Sequence, residues 1–238
     1  MVDGHMMART LVLWDVDHTL IETRGVGGEL FREAFEQATG HKLVHAADVT
    51  GRTEPAIFRE TAELHSIPYT DDLLDRYAQA LADKYRTRMI ELAARGRAIP
   101  GAAAAITALA RADGIVQSVL TGNLRAVAVI KLEAFGLAAW LDLDVGAFGS
   151  DDPDRANLVR IAQDRAGDKY RTDFGARNTV LIGDTPSDIA AARDGGARIV
   201  AVATGNSTVA ELRQAGAAIA LPGLENAAAV VEAVTDAL

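Results

Sequence analysis

The sequence predicts an α/β protein, a parallel sheet with helices on both faces, interrupted early by an all-helical insertion. Three features point to it. After Pro100-Gly101, short apolar runs alternate with helical patterns to the end of the chain, and such alternation implies right-handed crossovers between parallel strands. A further apolar run, Leu11–Trp14, stands alone near the start and has the same strand character. Between it and Pro100 the periodicity is helical, which makes that block an insertion after the first strand. The expected arrangement is Rossmann-like, with residues 8–24 and 99–238 as the α/β core and 25–98 as the cap.

The first strand runs into a Gly-containing turn at Gly25, Gly27 and Gly28. In the insertion, "ELFREAFEQAT" puts Leu30, Phe31, Ala34, Phe35 and Ala38 on one stripe, and "EPAIFRETAEL" and "LLDRYAQALADKYRTRMIELAA" repeat that spacing. The core then reads as helix "AAAAITALARAD", strand Val116–Leu120, helix Leu124 to Phe135, a weaker strand at Leu143–Val145 and helix Asp154–Ala166. Strand Thr179–Ile182, helix Ile189–Asp194, strand Ile199–Val202, helix Thr208–Ala215, strand Ala217–Leu221 and helix Glu225–Ala237 complete it. Trp14 and Trp140 read as core residues.

With 238 residues, 49% of them hydrophobic, the chain is long enough to bury a sizeable core. A formal net charge of −9 argues against nucleic acid and against anionic membranes, both of which call for a basic face. The absence of cysteine excludes disulfides and thiolate metal sites. No apolar run approaches the roughly 18 residues of a membrane span, and no signal-peptide pattern opens the chain, so a cytoplasmic location is expected. The opening "MVDGHMM" has the look of an expression-vector remnant, and it is left out of the fold argument, His5 included.

In open parallel sheets the ligand crevice lies beyond the carboxyl ends of the strands. Leu11–Trp14 leads into Asp15-Val16-Asp17, Val116–Leu120 into Thr121-Gly122-Asn123, and Thr179–Ile182 into Gly183-Asp184 with Asp188 following. Like charges so close together cost the fold unless something compensates them. A hard divalent cation with oxygen ligands does so, and Mg2+ suits carboxylate and backbone oxygen. Such a site recruits a phosphate oxygen, which Thr121 and the backbone N–H groups of Thr121 to Asn123 could also bind.

The order and spacing of "DVDHTL", "LTGN" and "GDTPSD" resemble the haloacid dehalogenase (HAD) superfamily, over nearly the whole chain. The resemblance implies a Mg2+-dependent phosphatase in which Asp15 attacks phosphorus to form an aspartyl phosphate. Asp17 would protonate the leaving oxygen and then activate the hydrolytic water. The metal would be held by the Asp15 carboxylate, the Asp17 backbone carbonyl and Asp184, with Asp188 acting through water or by orienting neighbours. Thr19 would support the loop around Asp17.

The family also places a cation, usually Lys, before the last motif, and here the sequence departs. "FGSDDPDRANLVRIA" offers Arg155, whose fork can engage a carboxylate and a phosphate together. Lys131, in "IKLEAFGL", is the competing candidate. Arg52, in the Thr50-Gly51-Arg52-Thr53 turn, stands where capped members place a loop that reaches the substrate, although the turn could equally cap a helix. His18 reads as structural or substrate-facing, and His41, His45 and His65 as ordinary residues of the insertion.

A capped member of this kind resembles phosphoglycolate phosphatases, so the expected partner is a small phosphorylated metabolite and the insertion is a lid hinged near Gly25–Gly28 and Gly96–Gly101. The chief alternative is a phosphosugar mutase of the beta-phosphoglucomutase kind. A 2-haloacid dehalogenase would leave Asp17 and Asp184 without a task, a receiver-type signalling domain would not carry the helical block, and a non-catalytic module would not need all these acids. Monomer and homodimer both stay open.

Overall fold

A computed structural model of the chain describes residues 9–238. The opening heptapeptide lies outside the described residues.

Strand β1, Thr10–Trp14, is buried along its whole length. It pairs in parallel with β4, Ile115–Thr121, on one side and with β6, Thr179–Gly183, on the other. With β5 (Ala147–Phe148), β7 (Arg198–Val202) and β8 (Ile219–Leu221) the six strands run in the order β5-β4-β1-β6-β7-β8, every pairing parallel. An apolar strand without alternation belongs at the centre of such a sheet because both of its faces are covered. Leu11 and Leu13 pack into one cluster, and Val12 and Trp14 into another. The polar edge of Trp14 is satisfied within the core: its Nε1 donates to Gln117 Oε1 at 3.0 Å, and Gln117 Nε2 donates to the Ile106 carbonyl.

Helices α5 (Ala102–Ala110), α6 (Arg125–Ala134), α7 (Arg155–Tyr170), α8 (Pro186–Gly195), α9 (Val209–Gln214) and α10 (Ala227–Asp236) alternate with these strands. Residues 26–95 form four helices: α1 (Val26–Thr39), α2 (Glu54–Leu64), α3 (Asp71–Thr87) and α4 (Met89–Arg95). Leu30, Phe35, Phe58, Tyr77, Leu81 and Leu92 build their shared apolar cluster, which runs on into Leu124, just before α6, and Val127 and Ile130 within it. The rings of Phe58 and Tyr77 stack with centroids 4.0 Å apart.

Four details differ from the sequence reading. A two-stranded antiparallel ribbon, β2 (Ile21–Glu22) with β3 (Arg97–Ala98), ties the two ends of the helical block together. The helical pattern from Leu73 to Ala94 is broken at Arg88, whose guanidinium is drawn out to Glu29, Glu33 and Glu91. The weak strand falls at Ala147–Phe148 and not at Leu143–Val145, because the Asp142 backbone N–H and carbonyl are bound by Gln117 and Ser118, which leaves 142–145 as a turn. Trp140 is 52% exposed in a short 3-10 turn, Ala138–Trp140, so it is not core. No helix among the described residues is long and apolar enough to cross a membrane.

Candidate active site

The sheet register brings the candidate residues together. Trp14 lies level with Val119 and Ile182, so the chain leaves β1, β4 and β6 at one edge, and Asp15, Thr121 and Asp184 emerge side by side. Asp15 still belongs to the ladder, its N–H donating to the Ile182 carbonyl at 2.9 Å.

Asp15, Asp184 and Asp188 each offer a carboxylate oxygen, and these oxygens lie within 4.8 Å of one another, all three residues buried. Burial, then the neighbouring Asp188 charge, pushes the Asp184 carboxyl up to about 7, and the same causes hold Asp15 well above the ordinary carboxylate range against the pull of Arg155. Thr19 Oγ lies 3.0 Å from Asp184 Oδ1, to which it donates, and 3.4 Å from Asp15 Oδ2. Asp188 also closes the N-terminus of α8: Oδ2 accepts from the N–H and hydroxyl of Thr185 in a reciprocal capping box.

Both candidate cations are in the site, on different acids. Arg155, the first residue of α7, donates through one nitrogen to Asp15 and to Asp188. Its Nε is buried and has no partner among the described residues. Lys131 projects from α6 and donates to both oxygens of Asp17 at 2.8 and 2.9 Å and to Asn123 Oδ1 at 2.7 Å. Burial alone would raise the Asp17 carboxyl, but the Lys131 charge and the hydrogen bonds from Lys131 and Asn123 together hold that group below the usual range. The Asp17 carboxylate therefore stands apart from the acid trio. Asn123 Nδ2 donates to Asp17 Oδ2 and to Thr121 Oγ, and since the Asn123 N–H also reaches that oxygen, the hydroxyl proton of Thr121 is left to donate elsewhere.

A cavity of about 320 Å³ opens over these residues, and the helical block forms its far side through Phe31, Glu54, Ile57 and Tyr85. The loop before α2 closes onto the sheet edge, where the Glu54 N–H donates to the Gly122 carbonyl at 2.7 Å and Thr53 Oγ to the Pro153 carbonyl. Gly122 has to be glycine, because a Cβ there would overlap the Arg52 carbonyl. The guanidinium of Arg52 turns back to Glu60 at 2.6 Å and to the Asp48 carbonyl. His18 is exposed at the rim with φ 62°. His65 serves the insertion: its ring bonds the Val44 N–H and the Thr61 carbonyl.

The sequence reading passed over Glu54, Tyr85 and the Asn206-Ser207 turn, all of which line the cavity. Asn206 and Ser207 follow β7 and could have been found by the same strand-end rule. Glu54 and Tyr85 sit on helices whose facing only the tertiary fold decides.

The parallel sheet carries acids at the ends of β1 and β6 and a threonine at the end of β4, and sequence comparison gives the class of protein to which this arrangement belongs. The model of the haloacid dehalogenase-like hydrolases matches residues 12–193, and a second, HAD-hydrolase-like model matches 156–237. The chain belongs to the haloacid dehalogenase-like hydrolase family. Solved structures share its fold at low identity. A hydrolase from Pseudomonas syringae is 19% identical with a TM-score of 0.68, covering 94% of this chain and 98% of its own. A candidate beta-phosphoglucomutase from Bacteroides vulgatus is 17% identical at 0.67, over 97% and 90%. A predicted phosphoglycolate phosphatase from Haemophilus somnus 129PT is 15% identical at 0.64, over 95% and 99%. No curated protein sequence matches this one.

Proposed function

We propose that the protein is a Mg2+-dependent phosphatase that hydrolyses a small organic phosphate monoester through an aspartyl phosphate on Asp15. The observation that carries the reading is the buried trio Asp15, Asp184 and Asp188, with the unpartnered Nε of Arg155 beside it. Three mutually repelling hard-oxygen donors suit a small divalent cation, and an orphaned guanidinium N–H suits an anionic oxygen. Asp15, Asp184 and the Asp17 carbonyl would hold the metal, and Asp188 would orient its neighbours. When bound, Mg2+ screens the repulsion between the Asp15 carboxylate and the phosphate.

An Asp15 oxygen attacks phosphorus as the ester P–O bond breaks, and the leaving oxygen takes a proton from Asp17. Asp17 then removes a proton from water, which attacks the phosphorus of the acyl phosphate and regenerates the Asp15 carboxylate. In the free site Lys131 holds Asp17 ionised, the form the second step needs. A phosphate dianion arriving beside Asp17 raises its pKa and so favours the form the first step needs. Thr121 and the N–H groups of residues 121–123 bind a phosphate oxygen, and Arg155 joins the phosphate to Asp15. The helical block serves as the lid, with its loop at Thr50–Thr53 closing the reaction off from water.

The test is release of inorganic phosphate from p-nitrophenyl phosphate with and without Mg2+. Asp15→Asn should abolish it, with unchanged circular dichroism. Retained activity in that variant would remove the mechanism.

A further inference from the structure

Glu54 is the acid that this mechanism leaves unused. Its Oε1 accepts from the Tyr77 hydroxyl at 2.7 Å, while Oε2 accepts no hydrogen bond from any described residue, although the side chain lines the cavity. Around it stand Phe31 and Ile57, which are apolar, and Tyr85, whose hydroxyl is pushed up to about 12 by burial against the pull of Lys131, so that it stays a proton-bearing donor.

The cations on this side are already occupied. Lys131 spends its donors on Asp17 and Asn123 beneath the Tyr85 ring, and Arg52 is turned to Glu60 and the Asp48 carbonyl. On the side of the cavity formed with the helical block, Lys131 and Arg52 are each already paired with a carboxylate, while Glu54 presents a carboxylate oxygen with no cation on it among the described residues. A carboxylate or second phosphate placed there would meet repulsion from Glu54 and lose its hydration without a replacement.

We infer that Glu54 determines specificity for the leaving group: the cavity takes phosphate esters of small polyhydroxy alcohols, whose hydroxyl donates to Glu54, and rejects esters that carry a second anion. This rests on the phosphatase reading and narrows its substrate. The Lys131 ammonium stands near Glu54 and opposes a second cation beside it, so the site matches a neutral hydroxyl better than an ammonium group.

Glycerol 3-phosphate and 3-phosphoglycerate differ only in a CH2OH against a carboxylate, and phosphoethanolamine supplies the cationic case. With Mg2+ at pH 7.5, wild-type kcat/KM should favour glycerol 3-phosphate over 3-phosphoglycerate by about tenfold or more, and over phosphoethanolamine as well. Glu54→Gln, which keeps the shape and an acceptor for Tyr77 but presents an NH2 group, should lower the first ratio about tenfold. Equal turnover of the first pair, preference for phosphoethanolamine, or an unchanged ratio in a Glu54→Gln protein that melts like the wild type overturns the inference. The wild-type ratios decide even if the variant does not fold. If neither these esters nor p-nitrophenyl phosphate releases phosphate, the phosphatase reading itself fails, a result distinct from lost selectivity with retained aryl phosphatase activity.

Discussion

The ammonium of Lys131 sits 2.8 and 2.9 Å from the two carboxylate oxygens of Asp17, at the seam where α6 meets the helical block. The Lys131 side chain is 5% exposed and that of Asp17 39%, so the pair is desolvated on one side only. This is the acid assigned here to proton transfer, and its neighbour fixes both its charge and its orientation.

Replacing Lys131 by Met keeps the stem and removes the charge. The half-buried Asp17 then loses its counter-charge, which costs about 1 to 3 kcal/mol, at or below the low end for breaking a buried pair because Asp17 keeps part of its water. Urea unfolding should show that loss. Phosphate release should fall about 10- to 100-fold, mainly in kcat, since the second step needs an ionised Asp17 held in place. An unchanged kcat would free Lys131 from that role.

For Arg155 the expectation is reversed. A single guanidinium nitrogen engages Asp15 and Asp188 while Nε waits unpartnered, so the loss should appear as weakened phosphate binding. Arg155→Lys keeps the charge but cannot make the planar, multi-point contact, and KM for an aryl phosphate should rise about tenfold or more. Competition by inorganic phosphate should weaken in parallel. A lysine variant that binds phosphate like the wild type would assign Arg155 to the carboxylates alone.

The Asp184 carboxyl, pushed up to about 7, ties stability to pH. In the unfolded chain an aspartate titrates near 3.9. Between about pH 4 and 7 the folded, metal-free protein therefore binds more protons than the unfolded one, and its stability falls as pH rises through that window and levels off above it. Mg2+ at the site relieves the repulsion, so the rise in Tm it brings should be larger at pH 8 than at pH 5.5. Asp184→Asn should flatten the falling limb and weaken the Mg2+ effect. A Mg2+ shift that is the same at both pH values would contradict this.

Asp15, Thr121 and Asp184 were legible in the sequence because each follows an apolar run, and parallel strands must end together at one edge. Arg155 and Lys131 were both found, but which acid each engages depends on the directions of α7 and α6, which no local pattern encodes. Glu54 shows the limit most plainly. At the first position of α2 an acid is what any helix N-terminus favours, and only the docking of that loop on Gly122 turns it into a wall of the cavity. Trp140 misled for a similar reason: a large aromatic implies burial on average, yet the 3-10 turn that carries it faces outward.

That docking can be tested through Gly51, which takes φ 63° and lies so close to Ser187 that a Cβ would overlap its side chain. Gly51→Ala combines left-handed strain of about 1 kcal/mol with a steric block between the Thr50–Thr53 loop and the start of α8. If closure of this loop completes the site, kcat/KM for p-nitrophenyl phosphate should drop about tenfold while Tm moves by only a few degrees. Adding Ser187→Gly removes the opposing side chain and leaves the backbone strain, so the double variant should recover most of the activity but not the stability. Were the loss of activity the strain's doing, the second substitution would restore neither, and the loop's approach to the sheet edge would be structural rather than catalytic.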